Sequence, residues 1–324
     1  MAKAKPFIKW AGGKSQLIDQ LDSQLPAGFG NWENVTYIEP FVGGGAMLFY
    51  MLQRYPNIQH AIVNDINIDL VTCYRTVRDY PEQLIESLTD IEKAYFALET
   101  EKGRKDFFMA ARDRYNEKNL DPIENTTKFF FLNRTCFNGL YRVNKRGLFN
   151  VPFGKYTNPT ICDPETIRRD SELLQRVEIL SGDFDATFEY AHGNTFFYFD
   201  PPYRPLSDTS SFNEYAKEVF NDDAQIRLKE YCDRIHEAGF HFMLSNSDCK
   251  GKNENDNFFD MLYQSYQIER VRASRSINSN PNKRGKLTEI LVHNYKETKA
   301  NAHYQRKEMG PVYAAEDIPA FVTN

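Results

Sequence analysis

Tyr37-Ile38-Glu39-Pro40-Phe41-Val42-Gly43-Gly44-Gly45 runs directly into the helical pattern Ala46-Met47-Leu48-Phe49-Tyr50-Met51-Leu52. An apolar strand, a glycine turn and a helix in immediate succession form the first unit of a Rossmann-like α/β sheet, and the glycines let a ligand approach the backbone closely. The dinucleotide fingerprint is incomplete: a third glycine would fall at Leu48, so NAD loses ground. The next expected strand, Ala61-Ile62-Val63, ends at Asn64-Asp65, where a carboxylate can accept hydrogen bonds from both hydroxyls of a ribose. A nucleoside without a pyrophosphate fits this pair better than a dinucleotide does. S-adenosylmethionine is such a ligand.

A second strand carries chemistry at its end. The aromatic run Thr195-Phe196-Phe197-Tyr198-Phe199 stops on Asp200-Pro201-Pro202-Tyr203. Two prolines lack backbone N–H groups and fix φ, which leaves the local carbonyls as rigid acceptors that no neighbouring strand competes for. Asp200 concentrates negative charge where an attacking amine becomes positive and has some general-base capacity. Tyr203 offers a ring for stacking, worth ~1–3 kcal/mol in aromatic–base contacts generally. The corner suits a planar base bearing an amino group. A plain strand followed by a proline turn and a surface tyrosine is the structural alternative.

At 324 residues the chain can bury a full core in one large domain or two, one of them inserted in the other. No stretch approaches ~20 apolar residues and the N-terminus lacks a signal-peptide pattern, so a cytoplasmic protein outside the membrane is expected. Five scattered cysteines, Cys73, Cys136, Cys162, Cys232 and Cys249, form no Cys-x-x-Cys pair, which argues against a disulfide framework and a zinc site. His236 and His241 fit a helix–strand turn, and no metal is expected. The net charge of −5 is unevenly spread. Met1 to Lys14 holds four basic residues, Phe137 to Thr160 four and Arg270 to Lys286 six, with no acidic residue in any of them; without these the rest of the chain carries −19. Such asymmetry can steer a polyanion toward basic surfaces on an acidic body. Ordinary solvated loops are the other reading of each segment.

Phe7-Ile8-Lys9-Trp10-Ala11-Gly12-Gly13-Lys14-Ser15 ends like a phosphate-binding loop, but Ile8 stands where the first glycine is required. What remains is an aromatic residue, a tight turn and a lysine at a helix start, able to bind a carboxylate or phosphate. With this segment, Glu-Pro-Phe-Val-Gly-Gly-Gly and Asp-Pro-Pro-Tyr in one order, the chain resembles the Dam-type DNA adenine-N6 methyltransferases, the D12 class or alpha group, over about residues 6–296. Asn138-Gly139-Leu140-Tyr141-Arg142, Phe149-Asn150-Val151-Pro152-Phe153-Gly154, Ser181-Gly182-Asp183-Phe184 and Leu244-Ser245-Asn246 are further local matches.

The resemblance implies a Rossmann-like S-adenosylmethionine-dependent methyltransferase sheet with an inserted helical and β-hairpin DNA-recognition domain. Residues 1–80 and 161–297 would form the catalytic domain, 81–160 the insertion and 298–324 a C-terminal tail. It implies methyl transfer from S-adenosylmethionine, leaving S-adenosylhomocysteine, to adenine N6 in duplex DNA, usually at GATC. Transfer is expected to be direct and in line, with no covalent intermediate, unlike cytosine C5 methylation with its nucleophilic cysteine. Cofactor positions carried over are Trp10, Lys14, Glu39, Phe41, Gly43, Gly45, Asp65, Asp183, Phe184 and Asp200, and the catalytic ones are Asp200, Pro201, Pro202 and Tyr203. For Asp183 and Phe184 a simple strand-end turn is the other reading.

Between about Pro81 and Thr127 the chain reads as charged amphipathic helices, including Pro81 to Glu101 and Arg104 to Lys118. Leu140 to Val143 and Leu148 to Val151 flank Asn144-Lys145-Arg146-Gly147, a hairpin signal, and a two-stranded ribbon fits the major groove. Arg142 is the candidate for guanine readout, with Lys9, Asn138, Leu140, Asn144, Pro152 and Tyr156 as further base-contact positions by resemblance. Lys145, Arg146 and Lys155 suit phosphates. Phe137 could wedge into the stack where an adenine leaves, or anchor the hairpin. Extrusion is needed because N6 is otherwise engaged in pairing. Pro205 to Phe220 reads as a lid, and Ala273 to Asn280 with the basic stretch after it, Arg275 and Asn278 included, as a backbone clamp. Double-stranded DNA is the expected partner of a monomer of bacterial or phage type. A cognate restriction endonuclease, a cytosine-N4 target and a silent DNA binder stay open at this level.

Overall fold

The computed structural model describes residues 4–10, 12, 14, 16–204, 220–251, 253–273 and 287–300. Arg275 and Asn278, the 205–219 part of the expected lid, residues 274–280 of the clamp and the tail beyond residue 300 lie outside the described residues.

Strands β1 (Val35–Glu39), β2 (Ile58–Asp65), β3 (Val177–Ser181), β4 (Thr195–Phe199), β5 (His241–Ser247), β6 (Gln267–Ala273) and β7 (Leu287–His293) form one sheet in the order β3-β2-β1-β4-β5-β7-β6. All pairs from β3 to β5 are parallel, and β7 runs antiparallel between β5 and β6. Every residue of β1 and β4 is buried, as expected of central strands covered on both faces. Side chains alternate: Tyr37, Phe196 and Tyr198 enter one hydrophobic core, while Ile38, Phe197 and Phe199 enter the other.

The first core is covered by α2 (Ala46–Arg54), α3 (Ile68–Asp79) and α7 (Pro164–Leu174), the second by α8 (Asp222–Glu237) and the short α9 (Phe258–Leu262). Strand order reverses between β1 and β4: β1 leads to β2 on one side, β4 to β5 on the other. The crevice beyond their carboxyl ends is where open α/β sheets bind ligands. Glu39 and Asp200 stand there, one the last residue of β1 and the other the first after β4.

Between α3 and α7 the chain inserts α4 (Pro81–Phe96), α5 (Glu101–Asn116) and α6 (Pro122–Thr135). Thr100 caps α5 through the Gly103 amide, and Asp121 caps α6 with Pro122 at its first turn. α4 stops at Phe96, short of the expected Glu101, and the Thr100 cap starts α5 at Glu101, ahead of the expected Arg104. α6 buries Phe129, Phe130, Phe131, Leu132 and Asn133 in succession, so it is central rather than amphipathic. Phe108, Phe131 and Phe149 share the first core with Tyr37 and Leu48, which makes the insertion continuous with one face of the sheet.

The segment after α6 corrects one expectation. Turn residues Asn144 to Gly147 lie where the hairpin signal puts them, but the flanks are not regular strands: the isolated bridge Val143↔Phe149 is what pairs them, with Cys136↔Phe153 at the base. The cross-links flank the Val143↔Phe149 bridge: Asn144 donates to the Leu148 carbonyl (2.9 Å) and Asn150 to the Arg142 carbonyl (3.1 Å), while the Asn150 carbonyl accepts from the Arg142 guanidinium (3.2 Å). Asn116 of α5 donates to the Phe149 carbonyl (3.1 Å) and accepts from its amide (2.8 Å), the two groups that face away from Val143. Thr298, at the start of the expected tail, bridges Pro26 and is buried, and residues 298–300 belong to the body.

Candidate active site

The Asp200 corner is closed by residues from four parts of the chain. Lys14 donates to Asp200 Oδ1 at 2.8 Å and to Glu289 Oε2 at 3.3 Å, and also meets the Tyr203 hydroxyl. Tyr203 in turn donates to Glu289 Oε2 at 2.7 Å. Lys14 is only 4% exposed, an ammonium that can be buried because two carboxylates face it. Ser245, from β5, lies 3.3 Å from Asp200 Oδ1 and 3.2 Å from the Tyr198 hydroxyl. Burial pushes the Asp200 carboxyl up, Lys14 pulls it back, and Glu289 adds to the rise. A carboxylate so placed holds negative charge in a half-buried corner and accepts a proton more readily than a fully solvated one.

Glu39 lies on the same sheet edge. Burial raises its carboxyl to about 8 against the lowering effect of the Tyr37 hydroxyl, which donates at 2.5 Å, and nearby Asp200 raises it further. Glu39 is therefore mainly neutral at pH 7 and ready to ionise opposite a cation.

The glycine turn is shaped by its neighbours. A Cβ at Gly43 or Gly44 would come within 3.0 or 2.9 Å of Trp10, and one at Gly45 would fall on the Tyr74 hydroxyl. Gly43 and Gly45 also have φ of 49° and 73°, which favour glycine. Tyr74 donates to the Gly43 carbonyl at 3.0 Å. Trp10 stacks on Tyr141, and Tyr141 on Phe129.

Asp65 accepts from the Gly43 amide at 3.1 Å and the Asn67 amide at 2.9 Å. Burial raises its pKa against those amide bonds. Asn64 ties the Pro40 and Gly182 carbonyls together (3.1 and 3.0 Å), drawing the ends of β1, β2 and β3 into one rim. Phe184 packs on Phe41 with ring centres 5.3 Å apart, and the Arg227 guanidinium lies 4.4 Å from the Phe184 ring centre. Asp183 caps the following 3₁₀ turn at Asp185 and pairs with Arg227 at 2.6 Å. Ile66, beside Asp65, is 69% exposed. Two carboxylates, a glycine turn and apolar side chains around one crevice fit a cationic nucleoside such as S-adenosylmethionine.

The expected DNA contacts fall into two groups. Asn133 binds both the amide and the carbonyl of Lys9 (2.8 and 2.9 Å), fixing it beside the 3₁₀ turn Phe137–Gly139. Lys9 Nζ lies 5.3 Å from the Tyr156 ring centre, and the Tyr156 hydroxyl accepts from the Asn138 amide at 3.0 Å. Phe137 is 51% exposed, which fits a wedge better than an anchor. A cleft of about 310 Å³ opens on this face beside Lys9 and Tyr156. The hairpin tip forms the second group. Asn150 holds Arg142 through its side-chain oxygen (2.8 Å) and its carbonyl (3.2 Å). Asn144 accepts from the Arg146 and Leu148 amides, which is a turn-forming role (2.9 and 3.2 Å). Pro152 and Lys145 are exposed and Leu140 is half-buried; Lys155 is exposed and pairs with Glu101 at 2.7 Å.

Two expectations change here. The Pro202 carbonyl is not free, because Gln225 of α8 donates to it at 3.2 Å, and Asn246 steadies Gln225 from β5. Glu289 and Tyr37 were absent from the expected site. Tyr37 opens the glycine-turn motif with no role assigned to it, and Glu289 lies outside every motif; what identifies them is burial of their polar groups.

A family model described as D12 class N6 adenine-specific DNA methyltransferase matches residues 10–277. The chain belongs to that family. Its members supply an adenine-specific methyl transfer to DNA, and a methyltransferase of this family implies S-adenosylmethionine as donor. The D12-class chain is 45% identical over 296 residues to the type II methyltransferase M.MjaIII of Methanocaldococcus jannaschii, covering 90% of this chain and 100% of that one. It is 37% identical over 296 residues to the type II methyltransferase M1.LlaDCHI of Lactococcus lactis subsp. cremoris (90% and 95% covered). To the DNA adenine methylase of Escherichia coli K12 it is 32% identical over 293 residues (90% and 96%). Among the described residues no helix is long and apolar enough to cross a membrane, and no three His, Cys, Asp or Glu side chains cluster as metal ligands.

Proposed function

We propose that this D12-class enzyme methylates adenine N6 within GATC after turning the base out of the duplex into the Asp200 corner. The observation that carries this is the meeting of Lys14, Asp200, Tyr203 and Glu289 at the switch point of the sheet. S-adenosylmethionine, when bound, supplies an electrophilic methyl group on a sulfonium. The chain's own residues do the rest. Glu39 and Asp200 face the cationic side of the donor, Asp65 takes its ribose hydroxyls, and Ile66, Phe41, Asp183 and Phe184 border its adenine. Lys14 pairs with its carboxylate, and Trp10 supports the glycine turn from above.

For the target, Asp200 accepts an N6 proton and stabilises the positive charge that grows on nitrogen during attack. Tyr203 stacks on the base. With the donor and N6 held in line, orientation replaces a covalent intermediate. Lys9 and the hairpin residue Arg142 read base edges, joined by Asn138, Leu140, Asn144, Pro152 and Tyr156. Lys145, Arg146 and Lys155 hold phosphates, and Phe137 fills the gap left by the adenine. A monomer acting on duplex DNA in the cytoplasm suits this arrangement, and a restriction endonuclease partner fits the type II names that two relatives carry.

Purified protein, labelled donor and duplexes with and without GATC test the reading. Label confined to the GATC duplex supports it; equal labelling of a duplex lacking GATC removes the sequence assignment.

A further inference from the structure

Glu289 is an ionisable residue in the strand Leu287–His293, whose Ile290, Leu291 and Val292 are almost fully buried. It is itself 7% exposed. Strand alternation places it on the same side as Leu291, facing the core that also contains Tyr37 and Tyr198. The antiparallel register sets it opposite Ser247 of β5 and Val271 of β6, so it stands in the middle of three strands. A buried carboxylate is costly unless paired. It accepts from the Tyr203 hydroxyl at 2.7 Å and pairs with Lys14 at 3.3 Å, both at the corner.

We propose that Glu289 is a positioning residue for methyl transfer: by accepting the Tyr203 hydroxyl it fixes the ring in the orientation against which the target base stacks. This rests on the reading of Tyr203 as the stacking residue. A tyrosine after two prolines has a rigid backbone, yet its ring can still turn about two side-chain bonds. Gln225 fixes the carbonyl just before it at Pro202, and Ser247 donates to the Arg204 carbonyl just after it at 3.2 Å. The backbone is thus held on both sides, and Glu289 holds the far end of the side chain. Because the acceptor comes from β7, the ring is set by sheet register rather than by its own loop.

Single-turnover methylation of a cognate duplex by Glu289→Ala, Glu289→Gln, Tyr203→Phe and the Ala/Phe double variant tests the role. Glu289→Ala is expected to lower the rate at least about tenfold, a loss on the scale of one base–aromatic contact. Affinity for DNA should stay within about threefold of wild type, because phosphate contacts dominate it. The double variant should be no slower than Glu289→Ala, because Tyr203→Phe removes only a hydrogen bond that Glu289→Ala, which also takes a partner from Lys14, has already removed. Glu289→Gln retains an acceptor and should recover most of the rate. A fluorescent 2-aminopurine at the target position, quenched by stacking in wild type, should brighten in Glu289→Ala.

Multiplicative losses in the double variant, or a Gln variant as slow as Ala, would overturn the proposal. If Glu289→Ala does not fold, Glu289→Asp retracts the acceptor while keeping the charge and must show the same coupling to Tyr203→Phe. The stacking reading has its own check: full activity in Tyr203→Ala would sink it, whatever Glu289 does.

Discussion

The proposed chemistry centres on the carboxylate of Asp200, half-buried and raised above its ordinary pKa yet held by Lys14. Replacing it with alanine should cut methyl transfer about 10³-fold, the scale seen when a transition-state electrostatic partner is lost. DNA affinity should change little, since the residues proposed to hold phosphates lie elsewhere. Equal losses of binding and rate would contradict that division. Glu39 gives a pH signature. Its folded pKa of about 8 lies above the ordinary value of 4.5, so the native state holds a proton that the unfolded state has already released between those pH values. Its contribution to stability is thus complete below about pH 4.5 and is lost as pH rises through 8. A cationic donor favours the ionised form, so donor affinity should rise as pH increases from 6 toward 8. Glu39→Gln should flatten both dependences and raise the melting temperature at pH 8.5 relative to wild type. A steeper fall of stability with pH in the variant would reverse the assignment.

Elements explain which parts were legible in the sequence. β4 announced itself by an uninterrupted aromatic run stopped by two prolines, and the unit from β1 to α2 by glycines between a strand and a helical period. These signals are local, so one segment carries each in full. The irregular hairpin was not legible in the same way. Its turn chemistry at Asn144 is local, whereas the strand's outer edge is held by Asn116, 33 residues away from Phe149, and the Asn150 carbonyl is taken by the Arg142 side chain. Glu289 belongs to the same class: a single acid in a β-strand pattern acquires a role only once β7 is set beside β5. Asn116→Ala should leave two buried backbone groups of Phe149 unpaired, destabilising the protein by about 1–3 kcal/mol. Cognate DNA binding should weaken more than donor binding, by fluorescence anisotropy and calorimetry respectively. Comparable weakening of both would mean that the hairpin and the glycine turn respond as one unit through Tyr141 and Trp10.

At the scale of the whole molecule, the proposal sets two ligands at one edge of the sheet. The proposed donor crevice is lined by acidic residues at the ends of β1 and β2 and just after β4, while the proposed DNA face gathers Lys9 with the residues that follow α6. Net charge is −5, so attraction to DNA must come from those local basic surfaces. About four phosphate contacts would make affinity fall about 10²-fold between 50 and 200 mM salt. A titration with no salt dependence would place recognition elsewhere. The shared core between the sheet face and the inserted helices keeps the two faces in fixed relation. The most direct test of the account is the identity of the methylated nucleoside. After incubation with labelled donor and a GATC duplex, complete digestion should give N6-methyldeoxyadenosine as the only labelled product, and label on deoxycytidine or on no nucleoside at all would contradict it.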